Sequence, residues 1–440
     1  MLKKMTLFFG LVIFLVWGWA RAQTEHRPPF PITQFTLDNG LQVILSEDYS
    51  LPLVSVVITY KVGAINEEAG KTGLAYLLEN LMFQGSENIG RMQHISFIRR
   101  IGGTLNAATM EDKTIFYQTV PSNQLALVLW LESDRMKSLE INASNIQRTK
   151  IDLIEEIRHR KTTDPYLESS LLFDQYLFPD FAHSHPIFGQ EEDLRELTVA
   201  EVKNFYSKFY CPNNAVLAIC GHIDKRKTIE LVRKYFGTIP KGEKVTPLPP
   251  VQLPEKEAID RTYRDPIATL PAFYLGYRIA PAKSPDFYPL KIAEYILLRG
   301  KTSRLHQRLI KKGIAFRLEG GIEEKKGLAG FKVFVVSTNE IMKERSTKEV
   351  LTEITRLKTG LISEKEFGKA KNLFRIDYVH QYASCADRAI FLAENQLAQN
   401  ALEKLGEELD KYLSVSTLQI ASVMNKYFTP GRIFLDVKVR

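Results

Sequence analysis

Apolar and polar positions alternate between two periods along this chain. Phe35 to Leu45 reads as two short strands about the Asn39-Gly40 turn, and Leu53 to Val62 is a β-branched run that predicts another strand. Leu74, Leu77, Leu78 and Leu81 then recur at spacings of three and four, which predicts a helix with Thr72 as its cap. A helix around Arg91 to Ile101 leads through Gly102-Gly103 into a strand at Thr104 to Ala107, and Thr114 to Val120 is the next strand. Leu125 to Ser138, Ala143 to Arg160, Tyr166 to Leu177 and Val199 to Tyr210 are helical by period. Ala215 to Cys220 is a strand and Arg226 to Phe236 a closing helix.

Ile239 to Lys256 breaks the pattern with prolines at 240, 247, 249, 250 and 254, the composition of a linker. Beyond it the order resumes. Strands are expected at Phe273 to Arg278, Phe331 to Ser337 and Ile433 to Val439. Helices are expected at Phe287 to Leu298, Ser303 to Lys311, Thr347 to Lys358, Glu364 to Leu402 with a break, and Thr417 to Tyr427. Lys208-Phe209-Tyr210-Cys211-Pro212 echoes Lys426-Tyr427-Phe428-Thr429-Pro430 at an offset of 218 residues, and Val199-Ala200-Glu201-Val202 echoes Thr417-Leu418-Gln419-Ile420 at the same offset. The expectation is an α+β protein of two homologous domains, each a mainly antiparallel sheet packed with helices. Its parts are a leader at 1–22, a first domain at 23–238, a linker at 239–256 and a second domain at 257–440.

Composition adds an address. Lys3 and Lys4 precede an uncharged apolar run from Leu7 to Ala20, and Ala20-Arg21-Ala22 offers a small-x-small cleavage site, so the start reads as a signal peptide. The run is shorter than the ~20 apolar residues of a membrane span. Removing Lys3, Lys4 and Arg21 would lower the net charge from +8 to +5. That excess is spread along the chain with no nucleic-acid motif beside it, which argues against a nucleic-acid partner. The address is therefore periplasmic or secreted, with no stable membrane span after cleavage. Three cysteines, at 211, 220 and 385, are an odd count that argues against a disulfide framework.

The candidate chemistry lies on the Leu74 helix. Tyr76, Glu79 and Asn80 share one face at i, i+3 and i+4, the frame of the inverted zinc-peptidase motif H-x-x-E-H. The Glu is present, and both His positions hold something else. Gly70 to Gly85, Leu37 to Val43, Gly102 to Ala107, Leu153 to Ile157, His185-Pro186, Phe205 to Gly221, Thr302 to Leu309 and Gly313 to Phe316 together resemble the M16 family of insulinase, pitrilysin and mitochondrial processing peptidase, in its short two-domain form.

That resemblance implies site residues one at a time. The family's first zinc His falls on Tyr76, its water-activating Glu on Glu79, its second His on Asn80, and its third ligand on Glu156, with Glu155 next door. A tetrahedral zinc site needs three good protein donors. Tyr76 binds only as a phenolate and Asn80 offers a neutral amide oxygen suited to harder cations. Glu79 is thus a vestigial general base, Glu156 a vestigial ligand, and no cofactor is expected. The family also holds substrate backbone with an Arg and a Tyr in its second domain. The stretch after Gly313-Ile314-Ala315-Phe316 supplies Arg317 and no Tyr. His183 and His185, an isolated pair, read as structural.

Three functions follow. The first is an exported, non-catalytic subunit that holds peptide, or pairs with an active zinc-bearing M16 sister subunit or a second copy of itself, or does both. The second is an active zinc metalloendopeptidase with an atypical ligand set. The third is a structural or assembly subunit.

Overall fold

The computed structural model describes residues 30–246, 251, 257–398 and 402–439. The expected signal peptide and half of the proline-rich linker lie outside those residues.

The chain forms two sheets of matching topology. In the first, β1 (Thr33–Thr36), β2 (Gln42–Glu47), β3 (Leu53–Tyr60), β4 (Thr104–Thr109), β5 (Thr114–Pro121) and β6 (Ala215–Gly221) stand in the order β1-β2-β6-β3-β5-β4. In the second, β7 (Ile259–Arg264), β8 (Ala272–Ile279), β9 (Ala315–Lys325), β10 (Leu328–Ser337) and β11 (Ile433–Lys438) stand in the order β7-β11-β8-β10-β9. Remove β1 and the two orders superimpose strand for strand. Even the one parallel pair recurs, β2 with β6 and β7 with β11, while all other pairs are antiparallel.

The helices repeat as well. The first half carries α1 (Leu74–Leu81), α2 (Gln93–Arg100), α3 (Leu125–Ser138), α4 (Ala143–Thr163), α5 (Leu167–Leu177), α6 (Phe181–Ser184), α7 (Glu191–Glu196), α8 (Val199–Phe209) and α9 (Lys225–Phe236). The second carries α10 (Phe287–Leu297), α11 (Glu340–Lys358), α12 (Glu364–His380), α13 (Cys385–Leu397), α14 (Leu405–Leu413) and α15 (Thr417–Tyr427). α8 and α15 begin and end 218 residues apart, and so do their caps. Thr198 with Glu201 and Ser416 with Gln419 each form a reciprocal capping box. Such a cap is worth about 1 kcal/mol, and the duplication has kept it while changing its side chains.

Each half lends one helix to the other. α5 belongs by sequence to the first half, yet Phe173 and Leu177, with Phe178 just beyond its end, pack on Tyr274, Phe334, Leu435 and Val437 of the second sheet. α13 belongs to the second half, yet Ala389, Phe391, Leu392 and Ala393 share a core with Ile44, Val57, Ile115 and Ala218 of the first sheet. Leu167 and Cys385, the two starting residues, again lie 218 apart. Gly276 and Gly330 admit α5. A Cβ on Gly276 would lie 2.6 Å from Cζ of Phe173, and one on Gly330 would lie 2.6 Å from Cδ2 of Leu177.

Some expectations change. Ser303 to Lys311 is helical from Arg304 to Ile310, as expected, but its last five residues, His306–Ile310, wind as a π-helix. β7 and β9 carry no strand signal in the sequence. Both are edge strands studded with charge, and β9 passes through Gly320 and Gly321 at φ 142° and 146°. The expected long helix from Glu364 breaks after His380 and restarts behind Ser384, whose side chain caps α13.

Candidate functional site

α1 buries Leu74, Leu77, Leu78 and Leu81 and leaves Tyr76, Glu79 and Asn80 half-buried on its other side. Its first turn is not capped by Thr72. Gly73, at φ 86°, occupies the cap position, and Thr72 turns away to donate its hydroxyl to Asp193 at 2.5 Å. Glu67 takes the helix's leading N–H groups instead, accepting from Gly73 at 2.7 Å and from Ala75 at 2.8 Å. A carboxylate there also faces the positive end of the helix dipole.

α4 brings Glu156 to Tyr76. The phenol donates to both carboxylate oxygens, at 3.2 and 3.1 Å. Glu155, one position earlier, faces solvent. Burial and the neighbouring Glu156 and Glu79 carboxylates push the Tyr76 phenol up to about 12, so it keeps its proton at any physiological pH. Asn80 donates its amide to the Tyr76 carbonyl at 2.9 Å, an ordinary i to i−4 contact inside the helix. Glu79 accepts from the Thr109 hydroxyl of β4 at 2.6 Å, and burial raises its carboxyl above the usual range.

This donor set does not fit zinc. The metal requires deprotonated or neutral-imidazole donors at three corners. Here the Tyr76 oxygen holds its proton and spends it on Glu156, so the phenol and the carboxylate neutralise each other's capacity to bind. Asn80 supplies an amide. Among the described residues, no group of three His, Cys, Asp or Glu side chains is gathered as a metal would need.

The remaining sequence candidates disperse. Arg317 on β9 forms a two-pronged pair with Glu319 at 2.6 and 2.9 Å and lies over the Phe334 ring, and no tyrosine occurs in β9. His183 pairs with Asp180 at 2.6 Å and reaches the Lys326 carbonyl, whereas His185 turns to Glu67. The two imidazoles therefore have different partners. Sequence periodicity gave no sign of Glu67, because its partner His185 lies 118 residues on.

A duplicated α+β scaffold with Glu79 on its motif helix and Glu156 on a facing helix defines a peptidase-like protein. The family model described as Insulinase (Peptidase family M16) matches residues 42–177, and the one described as Peptidase M16 inactive domain matches residues 196–374. The chain belongs to peptidase family M16. It is 28% identical over 405 residues to the zinc protease PqqE of Helicobacter pylori, across 89% of each chain. A solved protease from Helicobacter pylori superposes with a TM-score of 0.87 at 25% identity, covering 93% of this chain and 99% of that one. An M16 inactive-domain protein from Pseudomonas fluorescens superposes with a TM-score of 0.84 at 18% identity, over 93% and 98% of the two chains. The motif helix lies inside the insulinase match. The inactive-domain description attaches to the other half and not to the helix that carries Tyr76 and Asn80.

Proposed function

We propose that this chain is an exported M16 subunit that holds peptide without cutting it, alongside a zinc-bearing M16 partner or a second copy of itself. One observation carries the reading: the Tyr76 hydroxyl donates to Glu156 across the positions where the family clamps its metal. With no metal-bound water to deprotonate, Glu79 has no nucleophile to generate. The scaffold around it is intact, and a scaffold that can enclose peptide does not need a metal to bind it. The basic start and apolar run of residues 3–20 support export, and none of the described helices is long and apolar enough to cross a membrane.

The test uses the mature chain. After dialysis against trace zinc, elemental analysis should find no stoichiometric metal. An unstructured peptide should bind and remain whole. Cleavage by the unmodified chain, abolished by Glu79→Gln, would establish an active peptidase with an atypical ligand set. A chain that binds neither peptide nor an M16 partner would leave the assembly role.

A further inference from the structure

A loop far along the chain controls the N-terminus of the motif helix. Glu67 follows a short turn at Ala64–Asn66 and places its carboxylate at the start of α1. Besides the N–H groups of Gly73 and Ala75, it faces Nε2 of His185 at 3.1 Å. On the other side of the ring, Nδ1 donates to the Phe181 carbonyl at 2.7 Å, and the imidazole stacks on the Phe181 ring at 4.4 Å and 11°. The two backbone N–H groups and the His185 ring favour an ionised Glu67, and with Glu67 ionised Nε2 carries a proton and donates it. Nδ1 needs its own proton for the carbonyl. Both nitrogens donate, which makes the ring an imidazolium. The pair is sealed, with side-chain exposures of 3% for His185 and 0% for Glu67.

The loop is threaded tightly against the helix. Gly189, at φ 76°, packs so closely that a Cβ there would come within 2.6 Å of the Gly73 Cα. Gln190 donates its N–H to the Thr72 hydroxyl at 2.9 Å. Other charged groups on the surrounding elements are committed elsewhere. Asp193 of α7 holds Thr72, Asp180 holds His183, Glu111 pairs with Lys325 of β9, Arg160 of α4 lies over Phe188, and Glu79 of α1 holds Thr109. The His185 charge answers to Glu67.

We infer that His185 is the positioning residue of a pH-gated latch, whose imidazolium holds Glu67 against the first turn of α1 and so fixes how Tyr76, Glu79 and Asn80 are presented. The inference rests on the peptide-holding reading only for its consequence, not for its geometry. Burial pulls the imidazole down, but the bonds to Glu67 and the Phe181 carbonyl outweigh it and leave it above its ordinary value. Burial likewise raises Glu67, against the bonds from His185, Ala75 and Gly73. The sign follows. A histidine raised in the folded state contributes stability that is fully present below its unfolded value near 6.5, and that is lost as pH rises through the raised folded value. Above it, the deprotonated Nε2 presents a lone pair to a buried carboxylate, and the Phe181 to Gln190 loop loses its hold on α1.

Hydrogen exchange at the Gly73 and Ala75 amides of the full chain, corrected for intrinsic rates, tests this from pH 6 to pH 9. Protection should drop by about tenfold as His185 loses its proton, while the Val202 amide of α8 stays constant. His185→Gln should hold protection low and flat across the range. A flat profile in the unmodified chain, or the same step in His185→Gln, overturns the latch. If His185→Gln does not fold, nitrogen NMR of the unmodified His185 ring decides, with a neutral ring at pH 6.5 refuting the inference and a doubly protonated one supporting it. Peptide affinity over the same pH series separates the two readings. An exchange step without peptide binding supports the latch and counts against peptide holding. Peptide binding with flat exchange does the reverse.

Discussion

Tyr76 and Glu156 stand 3.1 and 3.2 Å apart, phenol to each carboxylate oxygen, and between them they tie α1 to α4. A metal ion held by ligands on two helices makes such a cross-link. Here a single proton makes it.

Removing that proton should therefore loosen the helix pair. Tyr76→Phe leaves the ring in place and deletes one hydrogen bond to a charged, partly exposed group, a loss of about 1 kcal/mol in chemical denaturation. A double-mutant cycle with Glu156→Gln should return most of that as coupling. Asn80→Ala should cost less, because its amide bonds only to the carbonyl one turn back in its own helix.

The double change Tyr76→His and Asn80→His should restore a zinc site. It sets two imidazoles at i and i+4, with Glu79 between them and Glu156 opposite. Elemental analysis is expected to find about one zinc per chain in the variant and none in the unmodified protein. Zinc binding is expected even if cleavage does not return, since substrate positioning depends on other residues.

The exchanged helices make a sharper demand. Leu392 on α13 is fully buried and lies in the core it shares with the first sheet, so Leu392→Ala should cost about 2–5 kcal/mol. The damage should appear across the halves. Hydrogen exchange at Val57 and Ala218 should rise along with that of the second sheet, in one cooperative transition.

Gly276→Ala should destabilise without removing any contact. The new methyl would meet Phe173 at 2.6 Å and force α5 off the second sheet, at about 1–3 kcal/mol. A thermal melt reads the loss. Pairing it with Phe173→Leu, which withdraws the ring end, should recover part of it.

How much of this could be read from the sequence depended on where the physics was local. The leucine spacing of α1 declared the helix, and the 218-residue echo around Val199 and Thr417 declared the duplication, because both are written as short-range pattern. β9 was invisible, since an edge strand tolerates Glu319, Glu323 and two left-handed glycines that no central strand would accept. At the site, Tyr76 and Glu156 were legible through the motif frame. The latch was not, because Glu67 and His185 meet only after folding, and neither sits in a periodic run. Thr72 misled for a related reason. As a residue type it suits a helix cap, but Asp193 from α7 outbids the helix for its hydroxyl.

The crossed helices also set a timetable. Synthesis delivers β6, ending at Gly221, long before it delivers α13, starting at Cys385. At cellular elongation speeds that interval is roughly ten to thirty seconds. Throughout it, Ile44, Val57, Ile115 and Ala218 have no cover to fold under. The nascent chain spends that time with a bare greasy wall, and growth arrest before Leu392 leaves that wall without the helix that covers it.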